Sequence, residues 1–596
     1  MSIARQINWA AALTVLVTLA AAWFLPHYVG RYYTHMLALA GVTIIAGHGL
    51  NLLVGYTGQV SLGHAGFYAI GAYTAALLAT KAGLGFWATI PVALVLSAIA
   101  GVLIAIPSFK LEGPYLSMVT IAFGIIVHSA LIEWDGLTGG TQGVLNIPRI
   151  SWFGQKLPLE RQFFVIATAV LLITLLMRNL TRSPWGRNLV AVRSNPIAAQ
   201  AVGLDTAFVK TIAFTLSAAI AGLAGVLFAF LQGFISPEAF DFDQSIFFLT
   251  GVMFGGAGLT AGPIAGGLLT TFLPELLQEF ADYRLIVYGL MIVLSLYFLP
   301  HGLMGIVTRW RPVGAAQRGG RALEVAKAFE VRPPPSSRGP VISLRNVQMA
   351  FGGVRALNGV GFDVHPGEVA AVIGPNGAGK TVLLNVLCGY YAPTEGEIRL
   401  QGRRIDGASP QRIARAGVAR TFQTAQLFSE LSVLDNVRLG FAPRSDKLLF
   451  DCLVASPRMA RKDHEMRADA ESLLQFVGYA GDPNAPAASL PLGHQRLVEI
   501  ARALASNPLL VVMDEPAAGL NPTEVNELKT LIRKIGDHGI AVLLVEHHMD
   551  LVMELSRRIV VLDYGVKIAE GEPDLIRKNP EVVAAYLGSE EGAHQD

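Results

Sequence analysis

Hydrophobic positions in the first half of the chain run together in blocks instead of alternating with polar ones. Tyr32 to Thr80 contains no Asp, Glu, Lys or Arg, and neither does Phe86 to Phe109. A run of the latter length makes a helix of roughly 36 Å, against a hydrocarbon core of roughly 30 Å. One Asp or Lys at mid-bilayer costs roughly 3 kcal/mol, so such clean runs predict membrane spans. Spans are expected near 8–25, 33–54, 61–80, 86–107, 115–133, 162–178, 209–235 and 284–300. Between the last two, Ser245 to Pro274 is apolar but broken by Gly255-Gly256-Ala257-Gly258-Leu259-Thr260-Ala261-Gly262-Pro263, which predicts two helices and a tight turn. A re-entrant pair fits that segment equally well, so the expected number of spans is about 8 to 10.

The pattern changes at residue 312. Pro312 to Pro340 is rich in Gly, Arg, Ala and Pro and ends in Pro333-Pro334-Pro335-Ser336-Ser337-Arg338-Gly339-Pro340, the composition of a semi-rigid linker. Beyond it, short apolar runs alternate with helical patterns: Val341–Val347, Val360–Val364, Val369–Ile373, Leu509–Met513, Ala541–Val545 and Ile559–Leu562. That rhythm predicts an α/β sheet. The expected organisation is an all-α membrane domain over 1–311, a linker over 312–340, an α/β P-loop domain over 341–590 and a tail over 591–596.

Composition agrees with a chain partly in lipid. Of its 596 residues 52% are hydrophobic and 15% charged, against about 25% charged in soluble domains. The net charge of +2 and the lack of a basic, aromatic-interleaved patch give nucleic-acid binding no support. Cys388 and Cys452 are too few and too far apart for a disulfide framework and are expected to be reduced. The apolar start after Gln6 lacks a small-x-small cleavage site before Arg31, so a first span is expected there in preference to a signal peptide. Arg178, Arg182, Arg187, Arg193 and Lys210 place that inter-span segment in the cytosol, while Trp134 to Lys156, poor in cations, is expected outside. Gly251/Gly255 and Gly258/Gly262/Gly266 are spaced for close helix packing. His48, Asn51, Gln59 and His64 stand in apolar surroundings, where interhelical hydrogen bonding competes with a role in a translocation path.

The strongest chemistry lies at Gly374-Pro375-Asn376-Gly377-Ala378-Gly379-Lys380-Thr381, which follows an apolar strand and precedes a helical run. Glycines there let backbone N–H groups turn onto a β-phosphate, Lys380 neutralises β/γ oxygens, and the Thr381 hydroxyl suits Mg²⁺. Leu509 to Met513 is an apolar strand ended by Asp514 and Glu515. Asp514 suits a water-mediated Mg²⁺ contact and Glu515 the polarising of an attacking water. Gln423 stands where its side chain can touch Mg²⁺, and His547 follows a further strand where it can contact a γ-phosphate.

In order along the chain, Gly374–Thr381, Gln423, Leu490-Pro491-Leu492-Gly493-His494-Gln495, Asp514-Glu515 and His547 resemble the motifs of ATP-binding cassette (ABC) ATPases over about Val341 to Leu587. The resemblance implies that Phe351 stacks on adenine, that Gly493 and His494 bind nucleotide from the signature segment, and that Gly519-Leu520-Asn521-Pro522 is the D-loop. Three positions depart from the family pattern. Pro491 stands where a signature serine is usual, and Asn521 and His548 where aspartates are, so hydrolysis is expected to survive with a weaker composite site. Ala517–Pro522, Glu546-His547 and Asn579–Gly588 resemble the ATPases of LIV-type importers of branched-chain amino acids. Leu50–Ala65, Gly113-Pro114-Tyr115, Ser236-Pro237-Glu238 and Gly302-Leu303-Met304-Gly305 resemble their permeases. Ser183 to Lys210 is the expected docking segment, with Ala198, Ala199 and Gly203 fitting the importer coupling loop and Ile197 in its glutamate position. The resemblance implies a natural permease–ATPase fusion in a bacterial inner membrane, multi-pass and bathed in lipid, its ATPase cytoplasmic and served by ATP and Mg²⁺. It also implies a second permease, a second ATPase and a periplasmic substrate-binding protein. Importers of urea and short-chain amides share these motifs and stay open as an alternative, with a non-transporting regulatory ATPase more distant.

Overall fold

The computed structural model describes residues 9–108, 113–152, 154–276, 283–299, 302–310, 339–442 and 449–591. They fall into two units. One takes in Met1–Leu189, Ala207–Gly319 and Leu449–Ala455, the other Val190–Thr206, Gly320–Leu448 and Ser456–Asp596. A short piece of the N-terminal half thus belongs with the second unit, and a shorter piece of the C-terminal half with the first.

The first unit is helical: α1 (Trp9–Phe24), α2 (Pro26–Asn51), α3 (His64–Thr80), α4 (Phe86–Ser108), α5 (Pro114–Glu133), α6 (Asp135–Thr138) and α7 (Leu159–Arg182). A two-strand hairpin, β1 (Ser151–Trp152) and β2 (Gln155–Lys156), precedes α7. After α8 (Pro184–Ser194) and α9 (Pro196–Ala201) come α10 (Thr206–Gln232), α11 (Phe242–Gly256), α12 (Gly262–Leu276), α13 (Arg284–Phe298) and α14 (Gly302–Trp310). Among the described residues, Pro26–Thr57, Phe86–Pro107, Pro114–Glu133, Leu159–Arg182 and Thr206–Gln232 are long and apolar enough to cross a membrane. The glycine-broken segment is a helix pair. Each member has 15 residues, roughly 22 Å of helix, less than a hydrocarbon core of roughly 30 Å. Backbones touch across the pair: a Cβ on Gly255 would meet the Gly262 carbonyl at 2.0 Å, and one on Gly266 the Gly251 carbonyl at 1.7 Å.

Three of the four polar groups singled out in the sequence, His48, Asn51 and His64, hydrogen-bond between segments. His48 Nε2 pairs with Thr174 Oγ1 at 2.9 Å, and His64 Nε2 with the Ala46 carbonyl at 3.0 Å. Asn51 donates to Leu259 O and accepts from Gly258 N, tying α2 to the α11–α12 turn. Gln59 accepts from Thr57 close by in sequence.

The second unit is built on two sheets. The six-stranded one has the order β13-β12-β6-β11-β10-β9, from β6 (Val369–Ile373), β9 (Val418–Thr421), β10 (Leu510–Asp514), β11 (Ala541–Val545), β12 (Arg558–Asp563) and β13 (Val566–Gly571). Its pairings are parallel except β12 with β13. The antiparallel sheet holds β3 (Ile342–Phe351), β4 (Val354–Val360), β5 (Asp363–Val364), β7 (Glu395–Leu400) and β8 (Arg403–Arg404). Helices α15 (Lys380–Leu387), α16 (Pro410–Ala416), α17 (Val433–Leu439), α19 (Pro457–Phe476), α20 (Leu492–Ala505) and α21 (Pro522–Asp537) surround them, while α18 (Leu449–Leu453) lies in the first unit.

Strands β6, β10 and β11 are buried at every position, as expected of parallel strands covered on both faces. Alternate residues go to opposite cores. Val369, Ala371 and Ile373 join the apolar cluster of α17, α20 and α21, and Ala370 and Val372 join that of α15 and the antiparallel sheet. Burial of this kind stabilises by roughly 25 cal/mol per Å² of apolar surface. The expected strand over Val360–Val364 divides: β4 ends at Val360, and β5 covers only Asp363–Val364.

Candidate functional site

Chain geometry, not any single side chain, makes the loop after β6. Gly374 is packed so that a Cβ would lie 2.1 Å from the Leu562 carbonyl, and Gly379, at φ 93°, would meet the Ala356 carbonyl at 2.5 Å. Both positions exclude a side chain, and Gly379 adds a backbone conformation that L-residues rarely adopt. The loop delivers Lys380 and Thr381 to the first turn of α15. Lys380 folds back: its Nζ donates to the carbonyls of Gly374 at 2.7 Å and Pro375 at 2.9 Å. Burial holds its pKa below the ordinary value, opposed by the nearby charges of Glu515 and Asp514. A half-buried ammonium with its donors on backbone carbonyls is placed to exchange them for phosphate oxygens.

Strand β10 brings in the acidic pair. Asp514 closes β10 beside Val545 of β11, which also flanks β6. Its carboxylate is buried against Arg420, Nη2 to Oδ2 3.1 Å. Burial raises the Asp514 pKa, and Arg420 opposes the rise. Glu515 leaves the strand at φ 43°, a conformation costly for a non-glycine residue and tolerated where surroundings over-determine it. Here the Glu515 N–H is fixed on the Val545 carbonyl at 2.8 Å. Gln423 Nε2 donates to Glu515 Oε2 at 2.8 Å, and His547 Nδ1 lies 3.6 Å from the same oxygen. Two residues far apart in sequence thus converge on the Glu515 carboxylate.

The remaining expected residues lie around this cluster or apart from it. Phe351 ends β3, half-exposed, with its ring edge-on to Tyr391 at 5.2 Å. Thr381 is exposed, as are Asn376 and Gly377. Gly493 and His494 open α20, where Pro491 is the N-cap and gives no side-chain hydrogen bond. First-turn N–H groups therefore lack a capping side chain there, which favours an anion. His494 packs its ring on Tyr479. Among the described residues no hydrogen bond or ion pair joins Gly493 or His494 to the loop 374–381. Asn521 caps α21 in a capping box with Glu524, a role that asparagine fills as well as aspartate.

Two features escaped the sequence reading. Arg420 sits in β9, where its charge interrupts the apolar run that would have revealed the strand; its Nη1 donates to Asn385 Oδ1 at 2.6 Å. Glu499 of α20 is wholly buried between Arg496 and Arg502 and accepts the backbone N–H groups of Phe422 and Gln426. Its only sequence signal was three charges at i, i+3 and i+6 on an otherwise apolar helix face.

Of the expected docking segment, Val190–Thr206 lies in the same unit. Asn195 caps α9 through Ala198 N and donates to Gln426 Oε1 at 2.5 Å. Tyr390 donates to the Ile197 carbonyl at 3.1 Å, Arg415 to the Gly203 carbonyl at 3.0 Å, and Arg193 pairs with Glu430.

A P-loop cassette with its acidic strand end, joined in one chain to a bundle of membrane-length helices, defines an ABC transporter subunit. Residues 32–296 match the family described as branched-chain amino acid transport system / permease component. Residues 357–518 match ABC transporter, and 566–592 match branched-chain amino acid ATP-binding cassette transporter. The chain is 42% identical over 250 residues to the high-affinity branched-chain amino acid transport ATP-binding protein LivG of Escherichia coli (strain K12), covering 42% of this chain and 98% of that protein. It is 39% identical over 316 residues to the permease protein LivM of the same organism, covering 49% of this chain and 74% of LivM. A nucleotide-free ATP-binding cassette from an ABC transporter is similar at 32% identity and TM-score 0.37, over 41% of this chain and 98% of that one. The chain belongs to the branched-chain amino acid ABC transporter family, as a permease and an ATPase in one polypeptide.

Proposed function

We propose that this chain supplies one permease and one ATPase of an importer that uses ATP hydrolysis to move branched-chain amino acids across the inner membrane. The observation that carries the reading is the joining, in one chain, of a LivM-like helical unit and a LivG-like cassette. Both matches name branched-chain systems, so amide import is not favoured. In this reading the cassette lies in the cytoplasm, and a second permease, a second ATPase and a periplasmic binding protein complete the machine.

The site geometry supports the following roles. Backbone N–H groups of Gly374–Thr381 hold the β-phosphate, Lys380 the β/γ oxygens, and Phe351 the adenine. Thr381, Gln423 and Asp514 offer hard oxygen donors that fit Mg²⁺, whose charge would neutralise the phosphate oxygens. Glu515 orients and deprotonates the attacking water, and Gln423 and His547 hold its carboxylate in place. Gly493 and His494 address the nucleotide of the partner cassette. Closure of the two cassettes moves the docking segment through Asn195 and Tyr390 and so switches the permease.

The test is uptake of labelled leucine in cells lacking this chain, complemented with wild type or Lys380→Ala, with excess valine, urea or acetamide as competitor. Restoration by wild type alone, blocked by valine alone, is expected. Equal uptake with Lys380→Ala would remove the motor from the mechanism, and competition by urea or acetamide would reassign the solute.

A further inference from the structure

The helical unit contains a cavity of about 630 Å³ that none of this chemistry uses. One face of α7 lines its length, from Phe163 through Val170 and Thr174 to Arg178, and α1, α2 and α12 close its sides. Fifteen residues of helix span roughly 22 Å. The cavity is therefore a slot along a membrane-crossing helix, longer than half a hydrocarbon core (roughly 15 Å).

Its chemistry is one-sided. The lining surface is mostly apolar, and the hydroxyls on it are already bonded: Thr18 donates to the Thr14 carbonyl, and Thr174 pairs with His48. Among the described residues Arg178 is the one charged residue in the lining, at the end of α7 that continues to exposed Arg182. Among the described residues no hydrogen bond or ion pair engages the Arg178 guanidinium. Among the described residues no carboxylate lines the slot, so a zwitterionic amino acid would leave its ammonium unpaired in apolar surroundings, at a cost of several kcal/mol. The slot fits an occupant with a long apolar body and an anionic end.

We propose that this slot binds one acyl chain of an anionic phospholipid, with the lipid phosphate on Arg178. Guanidinium geometry matches phosphate oxygens, and the aliphatic stem of Arg178 can lie along the slot while its head reaches the interface. The assignment rests on the helical unit being embedded in a bilayer. A lipid wedged among α1, α2, α7 and α12 would set how far these helices can move against one another.

The test exchanges the purified full-length chain against vesicles of phosphatidylglycerol or phosphatidylcholine and counts retained lipid by native mass spectrometry. Wild type is expected to retain phosphatidylglycerol about five-fold over phosphatidylcholine, the factor that one basic residue carries near an anionic lipid surface. Arg178→Gln should retain both lipids equally. Ala167→Trp should fill the slot and retain neither, with Leu171→Phe as a milder filling variant should the first misfold. Lys380→Ala should retain lipid like wild type, which separates this test from that of the motor. Equal retention of the two lipids by wild type, undiminished retention in both filling variants, or displacement of lipid by leucine or by inorganic phosphate would each overturn the proposal.

Discussion

Glu499→Gln tests how the cassette holds the loop that carries Gln423. The substitution keeps volume and shape, so it opens no cavity and removes only a charge and part of the acceptor capacity. Arg496 and Arg502 have side chains 1% and 2% exposed, and Glu499 is their shared anion at 2.9 Å and 3.7 Å. Burial holds the Arg502 pKa below its ordinary value, opposed by the Glu499 charge. An amide in place of Glu499 can still accept from Phe422 N and Gln426 N, but its NH₂ then faces the Arg496 guanidinium, donor against donor. Breaking a buried pair from one side costs about 3–5 kcal/mol; the isosteric change belongs at the lower end. At about 2–4 °C per kcal/mol for a domain of this size, the cassette transition should fall by roughly 6–12 °C in scanning calorimetry of the full chain. Glu471→Gln, which breaks an exposed pair with Arg467, is the control and should shift stability by less than about 0.5 kcal/mol. A Glu499→Gln transition within about 2 °C of wild type would refute the reasoning, because the two guanidiniums would then have found water or another anion.

Asn195→Ala should cost about 1 kcal/mol of local α9 stability through its lost cap, and should lower leucine uptake per ATP hydrolysed while basal ATPase persists. Asn195→Asp keeps the cap and can accept from a flipped Gln426 amide, so it should restore coupling; equal coupling ratios in wild type and Asn195→Ala would sink the docking role. Burial pushes the Cys388 thiol up from 9.0 to about 11, an effect that Arg420 opposes and Asp514 adds to. The folded thiol should therefore resist aromatic disulfide reagents at pH 8 and react only on unfolding, and rapid labelling of the native chain would contradict its burial. The sign for stability follows: the folded state keeps a proton that the unfolded state loses, so this contribution is complete below pH 9.0 and is lost as pH rises toward about 11.

What was legible in the sequence was whatever a local pattern carries. β6, β10 and β11 are short apolar runs buried on both faces, and a run of four or five such residues needs no partner to be recognised. The glycine-rich loop and the acidic strand end were legible because their chemistry is contiguous. The convergence of Gln423 and His547 on Glu515 was not, since nothing in their spacing fixes a distance; only the motif order suggested it. β9 was missed because a buried arginine reads as a surface residue until its partners, Asp514 and Asn385, are known. The edge strands β4, β8 and β13, and β7 beside β8, carry charges among their exposed or half-buried positions and lack the apolar continuity of the central ones.

The segment Phe422–Gln426 explains why a motif glutamine and a docking asparagine belong to one device. Gln423 turns its side chain onto Glu515 and its carbonyl onto Arg496 of α20. Three residues on, Gln426 turns its side chain onto Asn195 of the docking segment and its N–H onto Glu499 of the same helix. The loop is thus held by its backbone on α20, while its two amide side chains face in different directions, toward the Glu515 carboxylate and toward the α9 cap. A displacement at either amide has to be carried by a backbone whose fixed point is the buried Arg496–Glu499 pair. Loosening that pair should therefore uncouple nucleotide turnover from transport before it abolishes either one, whereas loss of Lys380 should stop both together.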